Sequence, residues 1–509
     1  MNYNKALINS KLSIYINSID YVGIRAIMKS TRLSLSAILL VLTLISIIPA
    51  SASVFDTLEQ FRIPDYIKVP EFNFSSVIPA SASVFDTLKQ FRIPDYIQVP
   101  KFNFSMVPDF NLSIATLLFY GMLFILIFRL ASFGFLSFVD TFIKRKGKIV
   151  KFLKMSIIVP AYNEEVTIAS CIKSMLSLNY PSYEIIVIDD GSSDNTFREA
   201  SKFSEKGVKV IRQKNTGKPG AINTGIQNCS GEVVITVDAD SKLHPDALTW
   251  ICRRFSSNPR LGAVAGNVKI DKPTGLLKTL QSLEYTTSIN LGRKSQSMLH
   301  CVMIVPGAIA ALKTSVLQEV GYFPSDTFAE DFDITMKILR AGYHVEYESH
   351  AIAFTQAPES MEDFLKQRRR WYRGMTQVLS KYQGMYLNPR YGAAGIFGVP
   401  YMWLGVSSYL INMFLLFILL IDTFSYMVSF SGHDLNLLAS GMLTYWALTI
   451  GISIYAVLID PMPKLREIIA SPLYLFYNVF IDCVGLMALI EEILNLAMRW
   501  EKPKREELE

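Results

Sequence analysis

The stretch EIIVIDDGSSD at residues 184–194 decides the fold prediction, because a short apolar run ends there in paired carboxylates and a glycine turn. Two more runs of this kind occur at 155–159 (MSIIV) and 233–237 (VVITV), and segments with a helical pattern separate them. This alternation predicts an α/β domain at 150–362, with a mostly parallel sheet and helices on both faces. Ligands bind such sheets at the carboxyl ends of the strands, so the polar residues after each run form the candidate site.

The composition indicates a membrane protein with one soluble domain. The chain has 509 residues, of which 50% are hydrophobic and 18% are charged, and this balance is too apolar for a wholly soluble protein. The net charge of +6 does not indicate nucleic-acid binding, because much of the basic excess flanks apolar segments, as at 144–148 (KRKGK). The five cysteines form no Cys-x-x-Cys pair, so we interpret them as scattered thiols.

Five apolar segments are predicted to cross a membrane. Basic residues flank the first two on one side, so we expect the α/β domain and the N-terminal segment in the cytosol. Arg129 interrupts the second segment and is expected to extend toward its basic end. Five spans would put the basic tail outside, so the topology of the last segment is left open. The predicted segments are 1–32 (N-terminal), 33–48, 112–138, 392–421, 435–459 and 472–497 (spans), and 498–509 (tail).

The segment 49–111 between the first two predicted spans is expected to lie outside the cell, and it contains most of a tandem duplication. Residues 47–76 recur as residues 77–106 with five differences in 30 positions, so 25 positions are identical. Two copies are fewer than a stacked repeat architecture needs. We therefore interpret the duplication as a spacer in an external loop, because loops absorb insertions at small cost.

Two features at the predicted strand ends suit a nucleotide. Asp189 and Asp190 end a strand, where carboxylates can accept hydrogen bonds from a base or a ribose. A plain polar turn in which Asp194 caps the next helix is the alternative interpretation. Downstream, the glycine-rich segment 217–223 (GKPGAIN) contains Lys218 and allows close approach of the backbone to a ligand, although it lacks the P-loop spacing.

Two further acidic clusters suggest metal binding and proton transfer. Asp238 and Asp240 follow the strand at 233–237, and their hard oxygen ligands suit Mg²⁺ or Mn²⁺, which usually enter with a diphosphate. Glu330 and Asp331 precede a predicted helix. Acidic residues there can simply complement the helix N-terminus, but a carboxylate beside another in a partly dry pocket can also act as a base near neutral pH.

Gln367, Arg370 and Trp371 have the spacing i, i+3, i+4, so they share one face of a predicted helix at 363–385. An amide, a guanidinium and an indole on one face suit a sugar diphosphate better than a protein core. The helix is also amphipathic and rich in arginine, which is typical of a helix on a membrane surface. The basic residues that support this second interpretation are Arg368, Arg369 and Arg373.

In this order the motifs resemble those of the processive family 2 glycosyltransferases. The likeness is greatest to the poly-N-acetylglucosamine synthases, with chitin, hyaluronan and cellulose synthases as wider relatives. It covers about 155–382 and the apolar segments on both sides. The resemblance implies a GT-A fold, which is Rossmann-like with a mostly parallel sheet, beside an α-helical transmembrane region. It also implies inversion at the sugar and a channel formed by the spans.

The resemblance assigns expected roles to individual residues. It implies nucleotide binding by Tyr162, Glu164, Asp189, Asp190 and Lys218, metal binding by Asp238 and Asp240, and a catalytic role for Glu330 and Asp331, with Asp331 as general base. It implies diphosphate and acceptor binding by Gln367, Arg370 and Trp371. Two positions depart from the family pattern, since Ala329 replaces a threonine and Pro219 replaces the commoner alanine. Neither change removes a catalytic group, but Ala329 leaves the acceptor or sugar preference open.

We therefore predict a multi-pass synthase of the cell membrane with a cytoplasmic catalytic domain. It is expected to be an inverting, processive glycosyltransferase that polymerises a UDP-sugar, with UDP-N-acetylglucosamine as the expected donor, into a β-linked polysaccharide. The expected partners are the donor, the growing polysaccharide and the lipid bilayer, with no nucleic acid; an accessory membrane subunit is left open. A single-addition enzyme that makes a lipid-phosphate sugar and a non-catalytic membrane scaffold are the alternatives.

Overall fold

The computed structural model describes residues 114–142, 149, 151–429 and 435–497. Four predicted segments lie outside this part of the chain: 1–32, 33–48, 49–111 with the duplication, and 498–509. The described residues therefore contain the α/β domain and four of the five predicted spans.

One eight-stranded sheet forms the centre of the α/β domain. The strands are β1 (Met155–Ala161), β2 (Tyr183–Asp189), β3 (Val208–Arg212), β4 (Val233–Thr236), β5 (Lys242–Leu243), β6 (Leu261–Ile270), β7 (Ala310–Lys313) and β8 (His344–Thr355). Their order across the sheet is β3-β2-β1-β4-β7-β6-β8-β5. The three apolar runs that predicted the α/β domain form β1, β2 and β4. These strands are buried along most of their length because helices cover both faces of the sheet.

The α/β prediction is confirmed, but the sheet is more mixed than we expected. The β1–β2, β1–β4, β2–β3 and β6–β8 pairs are parallel, whereas the β4–β7, β6–β7 and β5–β8 pairs are antiparallel. The short strand β7 inserts between β4 and β6 and reverses direction. Its four residues show neither a long apolar run nor a terminal carboxylate, so the sequence pattern did not predict it.

Fourteen α-helices occur in the described residues. They are α1 (Ile114–Phe142), α2 (Ile168–Leu176), α3 (Thr196–Ser201), α4 (Gly217–Gln227), α5 (Ala247–Ser257), α6 (Gly275–Glu284), α7 (Gly292–Ser297), α8 (Thr314–Val320), α9 (Glu330–Arg340), α10 (Met361–Lys381), α11 (Val399–Ser429), α12 (Leu435–Leu458), α13 (Leu465–Ala470) and α14 (Tyr474–Ile493). A π-helical segment, Tyr285–Leu291, joins α6 to α7. Close packing of α4 on the sheet depends on Gly225, where a Cβ atom would come within 2.4 Å of Ile158.

Four helical segments in the described residues are long and apolar enough to cross a membrane. They are Leu117–Phe142, Ala394–Phe424, Leu438–Leu458 and Tyr474–Ile493. They overlap the predicted spans at 112–138, 392–421, 435–459 and 472–497. Helices α1, α11 and α12 share one apolar cluster, which includes Phe119, Leu123, Leu415 and Met442.

Arg129 lies in the middle of α1 and turns inward rather than extending along the helix. Its Nη1 donates a hydrogen bond to Ser408 Oγ of α11 at 3.3 Å, and its guanidinium lies 5.0 Å from the centroid of the Tyr401 ring. Our expectation that Arg129 extends toward the basic end of its helix is therefore wrong. Because Arg129 has a polar partner within the helical bundle, its guanidinium does not have to extend to the membrane interface.

Helix α10 packs against α14, and its arginines pair with the acidic end of that helix. Arg369 Nη2 lies 2.5 Å from Glu491 Oε1, and Arg373 Nε lies 2.9 Å from Glu492 Oε2. These pairs explain why an apolar terminal segment carries acidic residues. The position of α10 at a membrane surface stays a prediction, but all three arginines that suggested it have protein partners, since Arg368 pairs with Glu284.

Candidate active site

The carboxyl ends of β1, β2 and β4 meet at one edge of the sheet, because β1 pairs in parallel with both neighbours. Ala161 lies opposite Asp189, and Ile158 lies opposite Thr236, so the loops after these strands begin side by side. The fold therefore brings to one edge the predicted residues Tyr162, Glu164, Asp190, Asp238 and Asp240.

Asp189 and Asp190 are buried and hold the loop that leads into α4. Asp190 Oδ1 accepts hydrogen bonds from Gln213 Nε2 at 2.7 Å and from the Thr216 amide at 2.9 Å. Asp189 Oδ2 lies 3.1 Å from Arg212 Nε. Both carboxylates thus have structural partners, and their predicted contact with a nucleotide stays a prediction.

The alternative that we gave for this turn also has support. Asp194 Oδ1 accepts a hydrogen bond from the Thr196 amide at 2.9 Å, at the start of α3. In the neighbouring loop, Glu164 Oε2 accepts one from Thr167 Oγ1 at 2.8 Å, and Tyr162 is half-buried. The first acidic pair therefore lies in a turn that several hydrogen bonds hold in place, and neither carboxylate lines the cavity that contains most of the other predicted site residues.

A cavity of about 560 Å³ gathers the other predicted site residues. Its walls come from the strand-end loops, the N-terminus of α9 and one face of α10, and it continues between the apolar helices. The predicted residues along its walls are Lys218, Asp238, Asp240, Glu330, Asp331, Gln367, Arg370 and Trp371. Residues separated by up to 153 positions in sequence, from 218 to 371, thus converge as the motifs predicted.

Lys218 connects two of the acidic clusters. Its Nζ lies 2.6 Å from Asp238 Oδ1 and 3.1 Å from Glu330 Oε1. Burial acts to lower the pKa of this lysine, but the two carboxylates outweigh it and the net pKa is raised. Lys218 therefore carries a positive charge at neutral pH in the centre of an acidic site.

Asp238 and Asp240 are the predicted ligands of a divalent cation. Both line the cavity, and Asp240 Oδ1 is held by Ser241 Oγ at 3.1 Å. Gly307 lies directly against Lys218 and Asp238, because a Cβ atom there would lie 2.6 Å from Lys218 Nζ and 3.1 Å from Asp238 Oδ2. Hard carboxylate oxygens are the ligands that Mg²⁺ and Mn²⁺ prefer, and binding of such an ion by this pair stays a prediction.

Asp331 has the electrostatic setting of a general base. It is the second residue of α9, and its Oδ1 accepts a hydrogen bond from the Phe332 amide at 2.8 Å. Burial, followed by the Glu330 carboxylate, raises the pKa of Asp331 to about 6, while Lys218 and Arg370 act in the opposite direction. A carboxylate of this kind is ionised at neutral pH and can still take up a proton. Glu330 begins α9, so it also complements the helix N-terminus, as the alternative interpretation held.

Gln367, Arg370 and Trp371 all face the cavity, as their helical spacing predicted. The residue that sequence reasoning missed is Arg368, which is fully buried behind them. Its Nη1 donates to Gln367 Oε1 at 2.6 Å, and its guanidinium lies 4.2 Å from the centroid of the Trp371 ring. Arg368 also forms a buried ion pair with Glu284 of α6.

Glu284 links Arg368 to the last apolar helix, because Glu284 Oε2 also accepts a hydrogen bond from Tyr477 Oη of α14 at 2.6 Å. The next residue, Tyr285, begins the π-helical segment, and its ring lies 6.2 Å from that of Trp371. No spacing in the sequence signals this arrangement, since the contacts join three separate elements.

Comparison with known proteins supports the likeness to glycosyltransferases. The glycosyl transferase family 2 model matches residues 156–321. The chain is 36% identical over 227 residues to the poly-beta-1,6-N-acetyl-D-glucosamine synthase of Staphylococcus epidermidis, and 35% identical over 227 residues to that of Staphylococcus aureus strain COL. Each match covers 44% of this chain and 55% of the relative, so the chain spans about half the length of these relatives.

Residues 156–321 match the glycosyl transferase family 2 model, and we call this region the family 2 domain. A solved structure agrees with the fold: the mannosyltransferase PcManGT from Pyrobaculum calidifontis, in complex with GDP-Man and Mn²⁺, superposes with a TM-score of 0.51. It is 18% identical and covers 74% of this chain and 100% of its own, so the likeness shows the GT-A fold. The predicted fold class, a GT-A domain beside apolar helices, is confirmed.

The cavity extends well beyond the matched part of the family 2 domain. Asp331 and the α10 residues lie C-terminal to residue 321, and the cavity then continues to α1, α11, α12 and α14. The lining there mixes aliphatic side chains with aromatic and polar ones, and the aromatic and polar residues include Arg129, Tyr401, Ser408, Tyr409, Asn412, Tyr445, Trp446, Thr449, Asn478 and Asp482. One continuous space therefore joins the acidic site of the family 2 domain to the helices that are long enough to span a membrane.

Proposed function

We propose that this chain is a membrane-embedded, inverting and processive glycosyltransferase that polymerises UDP-N-acetylglucosamine into a β-linked polysaccharide. The observation that carries the proposal is the single cavity shared by the acidic site and the apolar helices. A polymerising enzyme needs a path for its product away from the reacting end, whereas a single-addition enzyme does not. The names of the staphylococcal relatives support the choice of N-acetylglucosamine.

In the proposed reaction, Asp331 accepts the proton of the acceptor hydroxyl while that oxygen attacks the anomeric carbon from the face opposite the departing UDP. The raised pKa of Asp331 suits proton uptake close to neutral pH. Arg370 and Lys218 supply positive charge on the cavity wall where the diphosphate leaves. Fixed charge of this kind is usually the largest contribution to catalysis.

Gln367 and Trp371 are proposed to hold the acceptor end of the chain. The amide offers hydrogen bonds to sugar hydroxyls, and the indole offers a flat apolar face. Both side chains are fixed from behind by Arg368, so little conformational freedom is lost when a sugar binds. The proposed acceptor contacts thus lie on α10, and the donor contacts lie on the strand-end loops and at Arg370 of α10.

Asp238 and Asp240 are proposed to hold a Mg²⁺ or Mn²⁺ ion, which would neutralise charge on the leaving diphosphate when bound. The solved mannosyltransferase contains Mn²⁺, and the choice between the two ions in this chain is left to experiment. Lys218 contributes charge at the same carboxylate, because its Nζ contacts Asp238 directly.

We further propose that the chain is a multi-pass protein of the cell membrane with its family 2 domain in the cytoplasm. The four apolar helices support membrane insertion. A cytoplasmic position follows from the basic residues at 144–148 after the first of these helices, since such residues favour the cytoplasmic side. The donor and the growing polysaccharide are the expected ligands; an accessory subunit is left open.

The decisive experiment is incubation of the purified full chain with a panel of UDP-sugars, followed by sizing of the product. We expect a long polymer from UDP-N-acetylglucosamine and no product in excess chelator. A product that carries one added sugar on a lipid phosphate would favour the single-addition alternative. UDP release without any transfer from every donor would contradict the proposal.

The role of Asp331 has its own test. Asp331→Asn should retain UDP binding and lose turnover by about a hundredfold or more, because a base acts in the transition state and adds little to ground-state nucleotide affinity. UDP affinity is measured by titration calorimetry and turnover by UDP release. If the variant loses UDP affinity as severely as turnover, Asp331 belongs to the donor site and the assignment is wrong.

A further inference from the structure

Two histidines and a glutamate lie together at the end of β8 that is farthest from the candidate active site. His344 begins β8 and pairs with Leu261, the first residue of β6, whereas Thr355 ends β8 and lines the cavity. A strand of 12 residues spans roughly 35 Å, so this cluster is remote from the acidic site. His300, three positions after α7, and Glu346 of β8 complete the cluster.

The three side chains offer ligand atoms for one metal ion. One nitrogen of each imidazole and one carboxylate oxygen lie within 4.8 Å of one another. His300 Nδ1 lies 2.7 Å from Glu346 Oε1, and the rings of His300 and His344 are nearly parallel, with their centroids 4.7 Å apart. Two positively charged rings at this separation would repel each other. The arrangement therefore disfavours double protonation, and neutral imidazole is the form that binds a metal.

Neighbouring side chains fix the Glu346 carboxylate, which is 3% exposed. Its Oε1 accepts a hydrogen bond from Asn258 Nδ2 at 2.8 Å, and the same Nδ2 lies 3.0 Å from His344 Nδ1. Arg254 Nη1 lies 3.4 Å from Glu346 Oε2, while Arg254 Nη2 lies 3.2 Å from Glu348, so the arginine is shared between two carboxylates. Surrounding hydrogen bonds of this kind usually orient the metal ligands of proteins.

The backbone of His300 is held in an uncommon conformation. Its φ of 55° lies in the left-handed region, which residues other than glycine seldom adopt. The His300 amide donates to the Ser297 carbonyl at 3.1 Å, and the His300 carbonyl accepts from the Val345 amide at 3.0 Å. These bonds fix His300 beside the start of β8. Its side chain is 44% exposed, so an ion can reach the cluster from solvent and the ring has room to turn.

We propose that His300, His344 and Glu346 bind one divalent transition-metal ion such as Zn²⁺, at a site separate from the one predicted at Asp238 and Asp240. Imidazole nitrogen suits Zn²⁺, whereas Mg²⁺ prefers oxygen ligands. Zn²⁺ lies about 2.0–2.2 Å from such ligands, so it would hold them about 3.3 Å apart. The ion takes the place of the proton between His300 Nδ1 and Glu346 Oε1. That proton passes to Nε2 of the same ring, which stays neutral.

An ion at this site would tie the segment after α7 to the first residues of β8. Helix α7 also contacts α1, because Ser295 Oγ donates to the Phe133 carbonyl at 2.7 Å, and Gln296 of α7 lines the cavity. A ligand that binds only the folded chain stabilises it by mass action. Zinc should therefore stabilise the fold around α7 and β8 without taking part in the transfer reaction.

The first test titrates Co²⁺, a spectroscopic substitute for Zn²⁺, into the untagged full chain in detergent with Mg²⁺ in excess. We expect the visible absorption of one Co²⁺ per chain with nitrogen ligands, and Zn²⁺ should displace it. The double variant His300→Asn/His344→Gln removes both imidazoles, and asparagine tolerates the left-handed backbone at position 300. Loss of even an outer partner costs about 10–100-fold in metal affinity, so the double variant should bind Co²⁺ about a hundredfold more weakly or less.

The matched control is His350→Gln. His350 Nδ1 also lies 3.2 Å from a carboxylate, Glu348 Oε1, and its side chain is 49% exposed, but its ring stacks on Trp250 rather than on a second imidazole. The control should bind Co²⁺ as the wild type does, and its unfolding temperature should rise with Zn²⁺. The double variant should unfold near the control temperature without Zn²⁺ and gain nothing from it. Equal Co²⁺ affinity in the control and the double variant would overturn the proposal.

The second test uses the wild-type chain alone, so misfolding of a variant cannot affect it. X-ray absorption at the zinc edge is measured on the full chain loaded with one equivalent of Zn²⁺ in excess Mg²⁺. We expect scattering from two imidazole ligands together with oxygen. Coordination by oxygen alone, or by a single imidazole, would overturn the proposed zinc site and would leave the proposed transfer reaction untouched.

Discussion

The residue with the clearest functional signature is Asp331, because its surroundings raise its pKa toward the range in which a base works. Burial is the largest cause, and the neighbouring Glu330 carboxylate adds to it. The sequence predicted the pair and its place before a helix. It did not predict Lys218 between Asp238 and Glu330, because that contact depends on how the segment at 217–223 meets α9 in the folded chain.

The pKa of Asp331 predicts the pH dependence of turnover. If Asp331 is the base, as proposed, it must be ionised, so activity should fall as pH drops through about 6 and should level off above it. Glu330→Gln removes a negative neighbour and should lower the pKa of Asp331, which shifts this acidic limb to lower pH. The measurement is kcat/KM as a function of pH, with Glu362→Gln, an exposed residue of α10, as the control. An acidic limb at the same pH in both variants would argue that another group titrates.

At the scale of single elements, α10 shows what helical spacing can and cannot predict. The i, i+3, i+4 positions of Gln367, Arg370 and Trp371 correctly put three side chains on one cavity face. The same reasoning suggested a membrane surface for Arg368, which is instead fully buried. Its partner Glu284 lies 84 positions earlier, so a single-sequence pattern cannot reveal the pair.

Arg368 is expected to position the face of α10 that we propose to bind the acceptor. Arg368→Met removes the hydrogen bond to Gln367 and the cation–π contact with Trp371, and it leaves Glu284 buried without its ion pair. We expect kcat to fall about tenfold or more, which is roughly 1.4 kcal/mol of activation free energy, with little change in donor KM.

Two further variants separate positioning from a merely structural role. Arg368→Lys restores the charge opposite Glu284 but not the planar guanidinium, so thermal stability should recover more than kcat. Arg369→Met on the same helix breaks a partly exposed pair with Glu491 and should change kcat by less than about threefold. The positioning role is wrong if Arg368→Met and Arg369→Met have equal kcat values, or if Arg368→Lys restores kcat fully.

At the scale of the whole molecule, the sequence predicted the two kinds of structure but not how they are joined. The alternation of strand and helix patterns predicted the α/β domain, and the length of the apolar segments predicted the helices that are long enough to span a membrane. The antiparallel strand β7 and the contacts between β6 and the loop after α12 involve distant residues with ordinary local patterns. One such contact is the ion pair of Lys269 with Asp460, at 2.5 Å, in which both side chains are almost fully buried.

Lys269→Met should loosen the attachment of the family 2 domain to the apolar helices. It leaves the Asp460 carboxylate buried without a cation, and breaking a buried pair in this way typically costs about 3–5 kcal/mol. Thermal unfolding of the full chain in detergent should therefore begin at a clearly lower temperature. The matched control is Lys202→Met, which breaks a solvent-exposed pair with Glu199 and should leave the unfolding temperature nearly unchanged.

The double variant Lys269→Met/Asp460→Asn tests whether the buried charge is the cause. Asparagine keeps an oxygen for the Met462 amide, which donates to Asp460 Oδ1 at 2.8 Å, but it removes the unpaired charge. Most of the lost stability should then return, because replacing both members of a buried pair is far less costly than removing one. A double variant that is as unstable as Lys269→Met would mean that packing by the lysine side chain, rather than its charge, holds β6 against the helices.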